Sequence, residues 1–172
     1  TALRQDILPE MQFKNLHWSE GFEADDVIAK LCEQIKTPKV IVSADQDLYQ
    51  LLSLDTALWK PGKSDKCFTY DDFCKKYDTT PDKWAHVKAM AGCSSDNIKG
   101  VKGVGERRAI QYINNELNPK SKTYQNIEEF EPFLQFNKRL TTLPWKGTPK
   151  MDWVQDEVNF MAINRVLRKY GI

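Results

Sequence analysis

The chain has almost no net charge: 25 Lys and Arg stand against 24 Asp and Glu, a formal +1. That excludes a global basic field, so a polyanion would have to be met by a local patch on a mixed surface. Long apolar runs are missing too. Nothing approaches the roughly 20 residues that span a bilayer. The first residues, with Arg4, Asp6 and Glu10, lack the pattern of a signal peptide. No membrane contact is expected. The four cysteines (32, 67, 74 and 93) contain no CxxC pair. This scarcity argues for a reduced, intracellular and cytoplasmic protein and against a zinc site. Repeats and low-complexity tracts are absent. With 41% hydrophobic and 28% charged residues, a chain of 172 is globular, enough for one ordinary domain or two small ones.

Residues 1–21 read as irregular, with Pro9 and Gly21 as breaks. Residues 22–36 read as an amphipathic helix, with Val27, Ile28, Leu31 and Ile35 on its apolar side. Residues 39–43 (KVIVS) read as a short buried strand. A helix followed by a buried strand is an α/β signal. A short helix over 47–53 and two edge-like strands near 57–60 and 67–70 follow, with Pro61-Gly62 as the turn between them. The texture then becomes helical: a short helix to Tyr77, a second from Thr80 to Met90, a third from Glu106 to Asn115. Residues 116–126 read as a loop, and 127–142 and 154–169 as two more helices.

Three constellations carry possible chemistry. Glu23, Asp25 and Asp26 open the first long helix; taken alone, such charge complements the helix dipole. Ser43, Asp45 and Asp47 follow the KVIVS strand, and ligand sites of open α/β sheets lie beyond the carboxyl ends of strands. Taken alone these are a solvated turn. Residues 92–108 (GCSSDNIKGVKGVGERR) place Asp96 before glycines 100, 103 and 105 and a basic exit. That order suits a tight hairpin entering a helix N-terminus, where backbone N–H groups hold phosphate. Paired carboxylates at neighbouring element ends suit two magnesium ions, which clamp the attacking and leaving oxygens of a phosphodiester.

In their order these motifs resemble the 5′-nuclease (flap endonuclease) family, which includes phage 5′-exonucleases and the 5′-nuclease domain of bacterial DNA polymerase I. Glu23-Ala24-Asp25-Asp26 matches the family's E-A-D-D, and Ser43-Ala44-Asp45-Gln46-Asp47 its S-x-D-x-D. Residues 92–105 resemble G-D-x-x-D-N-I-x-G-V-x-G-V-G of the helix–three-turn–helix element. The resemblance implies a PIN-like α/β nuclease core over 1–70, that DNA-binding element over 71–118, and a helical region over 119–172. It implies a metal-dependent 5′-3′ exonuclease or flap endonuclease of DNA replication or repair in a bacterial or phage-infected cell. Two Mg²⁺ or Mn²⁺ ions are implied: Glu23 and Asp25 on the first, Asp26, Asp45 and Asp47 on the second, with Asp96 lining the site. Gly100, Gly103, Val104 and Gly105 would hold duplex DNA, with K⁺ at the hairpin, and Lys99, Lys102, Arg107 and Arg108 would flank it. The substrate implied is duplex DNA with a 5′ end or flap.

The chain departs from the family pattern in two places. It begins shortly before E-A-D-D, so the family's N-terminal half, with its early Asp and its basic arch, has no counterpart. The resemblance thus implies the C-terminal part only of a nuclease core; the expectation is either a separate N-terminal chain that completes it, docking on an apolar face within 1–60, or a truncated or proteolysed form. Cys93 also stands where the family carries a carboxylate. A thiol is a poor Mg²⁺ ligand, and neither His17 nor His86 lies near it in sequence to build a softer site. The rival readings are a duplex-binding relic without chemistry and a PIN-like ribonuclease. Trp145, beside Lys146 and Lys150, is the tryptophan placed for nucleic acid, while Arg165, Arg168 and Lys169 suit a solvated helix end.

Overall fold

Helices and short strands alternate up to residue 59, and helices alone follow. The computed structural model describes residues 2–62, 65–94, 96–156 and 159–171. Within the hairpin motif, Ser95 lies outside the described residues, as do 157 and 158 of the helix expected over 154–169.

The N-terminus departs from the sequence reading. Leu3–Ile7 form a π-helical turn that runs into α1, Leu8–Glu10. Pro9 does not break it, because it sits in the first turn, where a missing N–H costs little. The next helix, α2 (Ala24–Gln34), buries Val27 and Ala29 and ends where Ile35 turns extended. β1 (Lys39–Val42) buries Ile41 and leaves Val40 and Val42 exposed. After the crossover 43–55, with a 3₁₀ turn at Asp47–Leu51, β2 (Thr56–Trp59) pairs parallel to β1, Lys39 opposite Thr56. A parallel pair needs a crossover of about this length. The second edge strand expected at 67–70 is reduced to a bridge between Leu58 and Phe68. Thr69 instead caps α3 (Tyr70–Tyr77), accepting from the Asp72 N–H.

Pro81–Lys83 make one 3₁₀ turn before α4 (Trp84–Ala91). α5 (Glu106–Ile113) follows the glycine hairpin. α6 (Lys122–Thr141) begins inside the expected loop, because Ser121 caps it by accepting from the Tyr124 N–H at 3.2 Å. Residues 154–156 are not helical, and α7 spans Phe160–Tyr170. Lys169 of α7 reaches back to Glu10 at 2.8 Å, tying the two ends of the chain together.

One apolar cluster runs from Ile41 through Leu48, Phe73, Trp84 and Met90 to Leu134. Trp84 is fully buried at its centre, 4.8 Å from the Tyr77 ring and edge-on to Phe73 at 5.4 Å. Helix α4 is the common neighbour of α5, α6 and the 3₁₀ turn at Asp47. Buried Asn137 of α6 locks it there, donating to the carbonyls of Ala89 (3.0 Å) and Lys99 (2.8 Å).

At the end of α4 the chain turns back on itself. Gly92 has φ +78°, and a Cβ there would stand 2.7 Å from the Ile98 carbonyl oxygen. A Cβ on Gly100 would overlap the backbone of Ala91 and Gly92. Gly105 is different: a Cβ there meets nothing. Gly100→Ala is therefore expected to cost at least about 2 kcal/mol from overpacking backbone. Gly105→Ser, at the N-cap of α5, should leave stability within about 0.5 kcal/mol or raise it slightly. Urea denaturation of the two variants measures the contrast.

Candidate metal centre and nucleic-acid interface

Three segments of chain bring their carboxylates to one cleft of about 880 Å³. The first is the start of α2. Its N-terminus faces the cleft, carrying Glu23 and Asp25, and helix-end N–H groups favour negative charge there. The second is the loop leaving β1. Ser43 Oγ accepts the Asp45 N–H at 3.1 Å, and Asp45 Oδ1 accepts the Asp47 N–H at 2.8 Å. These two side-chain turns fix the loop so that both aspartates enter the cleft. The third is the hairpin after α4. Cys93 and Ile98 exchange backbone bonds of 3.0 and 2.8 Å, and Asn97 turns the chain with φ +58°. Cys93 and Asp96 thereby line the same cleft.

Helix α4 sets the distances between these segments. The Trp84 indole N–H donates to the Gln46 carbonyl at 2.8 Å, fastening the loop that carries Asp45 and Asp47. Lys88, one turn on, places its ammonium 3.1 Å from Asp47 and 3.8 Å from Glu106. Burial works to lower the Lys88 pKa, but Asp47 and Glu106 outweigh it and hold the ammonium charged. The far wall is positioned by Gln50, which donates to the Thr141 carbonyl (3.0 Å) and accepts from the Leu143 N–H (2.9 Å). Sequence reasoning missed Lys88 and Gln50. The signal for Lys88 was its place between Val87 and Ala89 in an apolar helix, since a half-buried lysine needs carboxylate partners.

The six carboxylates do not share one role. Asp26 is buried, and its oxygens take the N–H of Glu23 (3.2 Å) and of Trp145 (2.6 Å). It closes the start of α2 and anchors the returning chain. Asp25 keeps its carboxyl toward the other acids: burial first, then Asp45, Asp47, Glu23 and Asp26, push its pKa up to about 6. Asp47 Oδ1 is buried and is met by the Lys88 ammonium at 3.1 Å. Clustered carboxylates, one with a raised pKa and one with a buried oxygen, form a donor set that fits a divalent cation, which prefers oxygen ligands.

The hairpin residues expected to meet DNA lie outside the cleft. Lys99, Lys102, Gly103, Gly105, Arg107 and Arg108 are exposed. Val104 keeps its side chain in the core and donates its N–H to the Val101 carbonyl at 3.0 Å. Gly100 is committed to close packing on Gly92. Arg108 folds back onto the Gly103 carbonyl at 2.6 Å. Trp145 lines the cleft, 42% exposed. His86 is half-buried on α4, and burial lowers its pKa. No helix among the described residues is long and apolar enough to cross a membrane.

The raised pKa of Asp25 has a thermodynamic sign. Near pH about 4 and below, Asp25 is protonated whether folded or unfolded; between there and about 6 the folded protein holds a proton that the unfolded chain releases. Its destabilising charge is therefore felt as pH rises through that window and is complete above it. In the metal-free protein, Asp25→Asn is expected to raise the melting temperature above pH about 6, with the gain shrinking toward pH about 4. A thermal melt series across pH reads the difference.

Residues 2–78 match the family described as 5′-3′ exonuclease, N-terminal resolvase-like domain. The chain is 38% identical over 126 residues to a 5′-3′ exonuclease of Halalkalibacterium halodurans, covering 69% of this chain and 41% of that protein. It is 38% identical over 118 residues to the thermostable DNA polymerase I of Thermus thermophilus, covering 67% and 14%. The chain thus spans less than half the length of these relatives. In structure it is similar to the T5 5′-exonuclease with bound zinc (22% identity, TM-score 0.65, 88% of this chain and 59% of that one). It is also similar to the bacteriophage T5 flap endonuclease in a product-like complex with DNA and metal ions (26%, TM-score 0.63, 73% and 52%). The expectation of a C-terminal part only gains no support, since the matching family is described as an N-terminal domain. What the comparisons establish is a chain similar in sequence to 5′-3′ exonucleases and DNA polymerase I, with the fold of 5′-nucleases.

Proposed function

We propose that the chain is the metal- and DNA-binding part of a 5′-3′ exonuclease or flap endonuclease that hydrolyses DNA phosphodiesters. The observation that carries this reading is the meeting of Glu23, Asp25, Asp45, Asp47 and Asp96, from three separate segments, in one cleft. Divalent ions, Mg²⁺ or Mn²⁺, would supply a water of lowered pKa and charge to balance the leaving oxygen. In this reading Glu23 and Asp25 hold the first ion, and Asp45, Asp47 and Asp96 the second. Asp26, expected as a ligand, serves as the positioning residue that fixes α2 and residue 145 around them. Lys88 neutralises Asp47 and is placed to meet the scissile phosphate.

Within the same proposal, residues 71–118 form the DNA-binding element. The exposed Lys99, Lys102, Arg107 and Arg108 and the N–H groups near Gly103 and Gly105 would grip the phosphates of one duplex strand, with K⁺ at the hairpin. The separate N-terminal chain also belongs to the proposal. Among the described residues β1 pairs only with β2, and Val40 and Val42 are exposed beside it, more than half open to solvent. A second strand would pair with the open edge of β1, and an element packed on that face would cover the two valines.

A 5′-flap duplex assayed with Mg²⁺ or Mn²⁺ tests the chemistry. Asp45→Ala is expected to lower cleavage by about 10²-fold or more, the scale of removing a charge-stabilising group, while leaving DNA binding in place. If the chain binds the flap but never cuts it, even with an N-terminal half supplied, the duplex-binding reading replaces this one; Cys93 at a carboxylate position is the observation that favours it. Lys102→Ala or Arg107→Ala should weaken duplex binding for all sequences alike. Each should also reduce the slope of log affinity against log salt by about 1, measured by fluorescence anisotropy.

A further inference from the structure

Asp47, Cys93 and Asp96 stand together inside the cleft. One oxygen of each carboxylate and the Cys93 Sγ all lie within 4.8 Å of one another. They come from two different segments: the loop after β1, fastened by Trp84, and the hairpin after α4, fixed by the Gly92–Gly100 contact. The sequence offered Cys93 no neighbouring histidine; the fold brings two carboxylates to it. Lys88 adds an independent sign. Its ammonium meets the buried Asp47 Oδ1 at 3.1 Å, so a positive charge already rests at this point.

The chemistry of the three donors decides which cation suits them. Magnesium demands oxygen in near-octahedral array and gains nothing from sulfur. Zinc, cobalt and cadmium accept two carboxylates and a thiolate, with water completing the shell. We propose that Asp47, Cys93 and Asp96 form a thiolate-containing site that takes a borderline divalent cation of the zinc or cobalt class in preference to magnesium. This rests on reading the cleft as a metal centre. On binding, the Cys93 S–H bond breaks, the sulfur lone pair forms the bond to the cation, and the proton leaves to solvent, with no change of oxidation state.

The test titrates the metal-free full chain with Co²⁺ and follows the near-ultraviolet thiolate-to-cobalt charge-transfer band. The wild-type protein should show the band, saturating with its binding site and releasing a proton as it forms. Mg²⁺ at about a hundredfold excess should not remove it. Cys93→Ser should abolish the band and weaken Co²⁺ binding, read by calorimetry, at least about tenfold; Asp96→Asn should weaken both. Cys93→Asp, retaining an anionic ligand, should bind Co²⁺ without the band and bind Mg²⁺ more tightly than wild type, which separates loss of sulfur from loss of fold. The variants keep Cys32, Cys67 and Cys74, so a band surviving in Cys93→Ser comes from those thiols and overturns the proposal. So does the absence of a band in wild type, or its removal by equimolar Mg²⁺. A protein that cuts the flap with Mg²⁺, loses that activity in Asp45→Ala and shows no band keeps the nuclease reading and loses this one.

Discussion

The Trp84 indole is the fixed point of the molecule. It is wholly buried, it packs on Phe73 and Tyr77, and its one polar atom leaves the core to hold the Gln46 carbonyl. A buried indole N–H needs a partner, and here the partner lies between Asp45 and Asp47. The core and the acidic loop are thus joined by one bond. Everything else on α4 follows the same logic. Lys88 meets Asp47, Ala89 receives Asn137, and Gly92 begins the hairpin that returns Asp96 to the same cleft. One short helix sets the spacing of carboxylates that would otherwise repel each other apart.

That spacing has an energetic cost that shows at Asp25. A carboxyl raised toward neutrality by burial and by four neighbouring acids is held there by the rest of the fold. Folding and cation binding are then coupled, because a cation in the cleft removes the repulsion that the folded state carries alone. The gathered acids repel one another in the folded protein, and the aromatic cluster around Trp84 holds the elements that carry them.

Much of this was legible in the sequence, for reasons tied to individual residues. Val27, Ile28 and Leu31 mark α2 by their spacing, KVIV marks β1 by its continuous branching, and glycines 92 and 100 mark a backbone that must approach itself. The acids of the cleft were legible because each sits at the end of such an element. What the sequence hides depends on partners far away in the chain. The Trp145 N–H on Asp26 and the burial of the Val104 side chain arise only on folding. The N-terminal turn is held by Glu10 on Lys169, a contact spanning nearly the whole chain, which no local pattern announces. The sequence marks Cys93 as a departure because a thiol suits Mg²⁺ poorly; its distance to Asp47 and Asp96 comes from folding.

Asp26 carries a consequence for how this cleft is dissected by mutation. Its carboxylate bridges a helix start and a strand of backbone 119 residues further on. Removing it leaves the N–H groups of Glu23 and Trp145 without their carboxylate acceptor and lets residue 145 leave the cleft wall. The resulting loss of activity would look identical to the loss of a metal ligand in any assay of turnover alone. Asn at this position, able to accept one of those N–H groups through its carbonyl, separates the architectural role from the electrostatic one. The acid most firmly embedded in the motif is therefore the one whose substitution says least about the chemistry of the motif.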